Sequence, residues 1–175
     1  MKQRLIRPSD AVAWDACIRR VWYDNQPLAS VEIEPGPFEQ LVMDRGLAHE
    51  AEVLESLAEQ HPVAVAKDQR ETQHLMAQGA EVIYHAQLYD EQLGMIGYPD
   101  FLIRHKTGLY QAADAKLSLT SDKKAIQIQL GCYRRLLANG LPAIVYLGNG
   151  RQEMITKESD PLTSRFIAEM GALLT

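Results

Sequence analysis

Apolar residues recur along this chain with two periods, one near 3.6 and one near 2, and the switches between them mark out its elements. Over 9–24, Val12, Trp14, Cys17, Ile18, Val21 and Trp22 fall near helical spacing behind a Pro8-Ser9-Asp10 cap, which predicts a first helix. The stretch 27–37, with three prolines and a glycine, reads as loop. Leu47, Ala51, Leu54 and Ala58 stand at i, i+4, i+7 and i+11 and predict a second helix over 39–60, ended by His61-Pro62. Segments 80–90, 95–105 and 109–116 are rich in β-formers. Turn signals at 90–94 and 106–108 separate them, which predicts three consecutive antiparallel strands. A third helix follows over 122–139, with Asn139-Gly140 and Pro142 as stop signals. AIVYLG at 143–148 reads as a buried strand. A last amphipathic helix opens near Asp160-Pro161 and carries Phe166, Ile167, Met170, Leu173 and Leu174. The order after the first helix, α-β-β-β-α-β, predicts a mixed α/β (α+β) sheet with helices on its faces.

Composition narrows the class. At 175 residues and 46% hydrophobic content, the chain suits a single domain, 1–175, either alone or within a longer protein. No apolar run approaches the roughly 20 residues of a membrane span, so we expect a soluble, cytoplasmic protein with no membrane partner. Cys17 and Cys132 lack CxxC spacing, and both are expected to be reduced and packed. The net charge of -5 argues against a broad basic face that coats nucleic acid. It is compatible with a carboxylate site that holds a divalent cation, since the cation then supplies positive charge at a phosphate.

Candidate chemistry gathers on the strands and the helices beside them. Asp114 and Lys116, two residues apart, share a strand face at the exit of the third strand. Asp100 follows Pro99 on the strand before, where Pro99 and Gly97 predict a bend or an edge. Two carboxylates and an ammonium meeting there could hold a divalent cation and position a water; a solvated Lys/Asp pair is the plainer alternative. On the third helix, Ile126, Leu130, Tyr133, Leu136 and Leu137 form an apolar arc with Gln129 inside it, one turn from Tyr133. A buried amide there needs a partner, either the backbone or a functional group. On the second helix Glu50 falls within the apolar arc, where a carboxylate is unusual unless paired or bound to metal, and His49 lies at the arc's edge. His61, His74, His85 and His105 show no ligand spacing.

The motifs GLAHE (46–50), GYPD (97–100), DAK (114–116) and QLGCY (129–133) together resemble, in order and element, the RecB-like family of PD-(D/E)XK nucleases. The segment holding Ser9, Asp10, Cys17, Arg19 and Arg20 resembles the start of that family, so the resemblance spans about 9–147. It implies a restriction-endonuclease-like αβββαβ core with extra terminal helices, and a metal-dependent deoxyribonuclease that leaves a 5′-phosphate. It implies His49, Asp100 and Asp114 as metal ligands, with the Ala115 carbonyl beside them, Lys116 as catalytic, and Gln129 and Tyr133 supporting the site or touching DNA. Mg²⁺ or Mn²⁺ is the implied cofactor, and an imidazole ligand would tilt the choice toward Mn²⁺. Some relatives hold an iron-sulfur cluster on four cysteines; here no cysteine follows Tyr133, so none is expected. DNA is the implied partner, single- or double-stranded, with a helicase or another nucleic-acid enzyme as a possible companion. An RNA substrate and an inactive DNA-binding module of the same fold remain as alternatives.

Overall fold

A computed structural model describes residues 4–24 and 34–174. The predicted first helix is two: α1 (Ala11–Ala16) and α2 (Ile18–Asp24), preceded by a 3-10 turn at Pro8–Asp10. Cys17 between them is extended, with φ -170°, and the redirected α2 buries Val21 in the same cluster as Ala11. Cys17 itself is exposed, against expectation, while Cys132 is buried. The loop predicted at 27–37 falls largely outside the described residues. α3 (Pro37–Ala58) covers the second predicted helix, but its buried stripe differs. Val53 and Leu57 face inward, while Leu47 is 65% exposed and Ala51 and Ala58 are also exposed. The helix lies across the sheet on the turn-by-turn row His49, Val53, Leu57, so the row beside it meets water.

Two elements between α3 and the predicted strands were not anticipated. β1 (Val63–Val65) and α4 (Gln69–Ala77) fill the gap before the predicted strands, with Asp68 capping α4 through the Glu71 N–H at 2.8 Å. The strand expected at 80–90 is broken into β2 (Val82–Tyr84) and β3 (Leu88–Asp90), and its partner into β4 (Met95–Gly97) and β5 (Phe101–Arg104). Both breaks occur at one level. His85 takes a left-handed φ of 57°, and its N–H donates to the Asp100 carbonyl at 2.9 Å. Beyond that point β3 and β4 leave the main sheet as a separate antiparallel ribbon. β6 (Tyr110–Lys116), α5 (Lys124–Leu137) and β7 (Ala143–Leu147) follow as predicted; β8 (Gln152–Ile155) was not foreseen, and α6 (Asp160–Leu174) closes the chain.

The main sheet runs β1-β2-β5-β6-β7-β8. β2, β5 and β6 form the expected antiparallel meander, and β7 returns parallel to β6 after α5, so the sheet is mixed. Side-chain alternation sorts its faces. Val82, Phe101, Ala113 and Ile144 meet Val53 and Leu57 of α3. Ile83, Leu102, Ala112, Val145 and Leu147 meet Ile126, Leu130 and Tyr133 of α5, with Leu75 and Met76 of α4 alongside. α5 is buried on its other side as well, where Ile128 and Cys132 pack with Ala11, Val21, Met95, Phe166 and Met170. No helix among the described residues is long and apolar enough to cross a membrane.

Candidate active site

The face of β6 that meets α5 carries Tyr110 and Ala112, then ends in Asp114 and Lys116, so an apolar stripe turns polar where the strand leaves the core. Asp114 is 1% exposed. One of its oxygens accepts the Asp100 N–H at 3.0 Å, and the Lys116 ammonium lies 2.9 Å from the other. That second oxygen, Oδ2, has this ionic neighbour but no well-directed hydrogen bond. Asp100 sits on the bend that separates β4 from β5, and its Oδ2 accepts the Ala115 N–H at 2.8 Å. The two carboxylates are thus each pinned by a backbone amide of the other's strand.

Electrostatics follow from this crowding. Burial, then the Asp114 charge, pushes Asp100 up to about 8, with Lys116 and the Ala115 N–H pulling the other way. Burial raises Asp114 as well. For Lys116, burial disfavours the charge, but Asp114 and Asp100 outweigh it and raise the ammonium above its ordinary value, so it stays protonated. Two acids forced together with one ammonium leave a site short of positive charge.

The bend at 98–100 is held from α5. Gln129 donates through Nε2 to the Tyr133 hydroxyl at 3.0 Å, and that hydroxyl donates to the Tyr98 carbonyl at 3.1 Å. Tyr133 is 2% exposed, and its ring packs so closely on Gly97 that a methyl there would come within 2.9 Å of it. Gln129 and Tyr133 therefore position the segment that presents Asp100.

α3 passes over the end of the sheet and divides its polar residues. His49 turns toward β7, where Nε2 lies 3.1 Å from the Tyr146 carbonyl, and Nδ1 is 3.9 Å from Glu52. Glu50 turns toward the bend instead. It accepts the Tyr84 hydroxyl at 2.7 Å, stands 3.3 Å from His85 Nε2, and acts electrostatically on Asp100, Asp114 and Lys116. Burial and the Glu50 bond raise the Tyr84 phenol to about 12, so it remains a donor. Asp100, Asp114, Lys116, Gln129 and Tyr133 come together, then, while the His49 ring is engaged elsewhere. Glu50 was flagged by its core-facing position; Tyr84 and His85 carried no sequence signal.

No protein-family model matches the chain, and no curated protein does. Among solved structures it is similar to the crystal structure of SSO0001, with 15% identity over 100% of this chain and 78% of that one, at a TM-score of 0.45. At that TM-score the likeness carries nothing over to this chain.

Among the described residues no group of three or more His, Cys, Asp and Glu stands at metal-ligand spacing. The carboxylate pair nonetheless suits a hard divalent cation, since Mg²⁺ is commonly held by one or two carboxylates and keeps several waters. The buried Asp114 Oδ2 without a directed donor, and the proton-hungry Asp100, are the groups such a cation would satisfy.

Proposed function

We propose that this protein is a metal-dependent nuclease that hydrolyses DNA phosphodiester bonds at the Asp100, Asp114 and Lys116 cluster. The observation that carries the reading is the carboxylate pair of half-buried Asp100 and buried Asp114, the latter with an incompletely bonded oxygen and an ammonium on its own strand face. The order α3, β2, β5, β6, α5, β7 supports it, because it follows the αβββαβ order that the resemblance implies.

In this reading Asp100 and Asp114 hold Mg²⁺ or Mn²⁺, with the Ala115 carbonyl as a further ligand. Bound there, the cation would lower the pKa of a water and offset charge developing on the phosphate. Lys116, kept charged by Asp114, orients the attacking water and stabilises the phosphate oxygens. The water oxygen bonds to phosphorus and gives up its proton to solvent as the P–O3′ bond breaks; the 3′-oxygen takes up a proton from solvent, and the product carries a 5′-phosphate. Gln129 and Tyr133 keep Asp100 in place.

The test is incubation of the purified protein with linear and circular, single- and double-stranded DNA, and with RNA, in Mg²⁺ or Mn²⁺. DNA cleavage is expected, and Lys116→Ala should lower its rate about a hundredfold or more. Binding without cleavage under every condition would overturn the reading and leave a nucleic-acid clamp. Exclusive cutting of RNA would reassign the substrate.

A further inference from the structure

Three aromatic rings lead from the core of the protein to the mouth of the candidate site. Phe101 is fully buried; Tyr84, half-buried, stacks on it with centroids 5.4 Å apart and planes at 27°. His85 stacks in turn on Tyr84 at 3.7 Å and 27°, and its side chain is 57% exposed. His85 is also held in an unusual way. Its backbone is left-handed, a conformation few non-glycine residues adopt, and strain of this kind concentrates at functional positions. Its N–H is tied to the Asp100 carbonyl and its Nε2 to Glu50, so both ends of the residue are anchored to the carboxylate cluster. An exposed ring fixed in this way, with a phosphate-processing site beside it, is a platform for another flat π system.

We propose that His85 is a specificity-determining residue that receives an unpaired nucleobase next to the scissile phosphate and so extends the Phe101, Tyr84, His85 stack by one ring. The proposal rests on the nuclease reading above. A base in this position must be splayed out of its own stack, as happens when proteins read single-stranded segments through aromatic side chains. The site would then require a base at the nucleotide it cuts beside, whichever base it is, because every base has a π face.

The test uses a single-stranded 12-mer and the variants His85→Asn and His85→Phe. Asparagine tolerates the left-handed backbone but is too short to reach Glu50, so it removes the ring together with that contact; His85→Phe loses the same contact and keeps a ring, and the pair separates the two effects. Binding is read in the Lys116→Ala background with Mg²⁺, by quenching of 2-aminopurine placed at each position in turn. Strong quenching at one position is expected with His85 and with His85→Phe. In His85→Asn the quench should disappear and affinity fall roughly tenfold. Cleavage is then read with Lys116 intact. An abasic residue beside the cut phosphodiester should slow the protein with His85 about tenfold and leave His85→Asn unaffected. If His85→Asn binds, quenches and cuts as the parent does while the parent cleaves the intact strand, the stacking role is overturned and the nuclease reading stands. If the parent cleaves no strand in Mg²⁺ or Mn²⁺, both fall.

Discussion

At the scale of the residue, the site is defined by a conflict that the fold maintains. Asp114 is buried with half-buried Asp100 beside it, and one ammonium cannot neutralise both. Asp100, raised from near 4 to about 8, binds its proton more tightly in the folded chain than in the unfolded one. Its contribution to stability is therefore complete below the ordinary carboxylate range and is lost as pH rises through about 8. In EDTA the melting temperature should fall between pH 5 and pH 9 by several degrees, roughly 5 °C. Asp100→Asn, which has no charge to bury, should flatten most of that fall. A melting temperature that climbs across this window in EDTA would contradict the assignment.

At the scale of the element, glycines show where helix packing overrides helix propensity. Gly131 lies on α5 where it crosses α6, and a methyl there would collide with Thr163, whose hydroxyl donates to the Ser159 carbonyl at 2.9 Å. Gly171, on α6 itself, has nothing within 4 Å of where a methyl would sit. Gly171→Ala should stabilise the protein by about 0.5–1 kcal/mol through helix propensity, whereas Gly131→Ala should destabilise it by about 1–3 kcal/mol through overpacking. Urea titration of the two variants would show the opposite signs; two stabilising changes would mean that α5 and α6 are not closely packed. The elements read correctly from sequence are those buried over several turns or a whole strand, as α5, β6 and β7 are. Those missed are short or polar. Three-residue β1 has no room for a period, and α4 buries only Thr72 fully. α3 misled because Leu47 and Ala51 extend an apolar row beside the one that packs. Asp114 and Lys116 were legible because strand alternation fixes their side, and Asp100 because Gly97 and Pro99 mark the bend that presents it. The aim of His49, toward the Tyr146 carbonyl, depends on how α3 crosses the sheet, which no local pattern specifies.

At the scale of the whole molecule, the site is assembled from α3, the bend at 98–100, the end of β6 and the inner face of α5, so it exists only when these distant segments have packed together. A ligand that binds this arrangement and not the unfolded chain must stabilise the fold as a unit. Mg²⁺ at a hundred times its dissociation constant should raise the melting temperature by roughly 5–10 °C. Asp114→Asn should abolish the increase, and His49→Ala, whose ring faces β7, should keep it within about 2 °C. Equal loss in both variants would return His49 to the metal. The six-stranded sheet also ends in two short strands, three-residue β1 behind Pro62 and four-residue β8, which carries Glu153 within it and lies between Arg151 and Thr156. Short, proline- and charge-flanked edges give another chain little backbone to template on, so this open sheet is protected against edge-to-edge aggregation by its own outer strands.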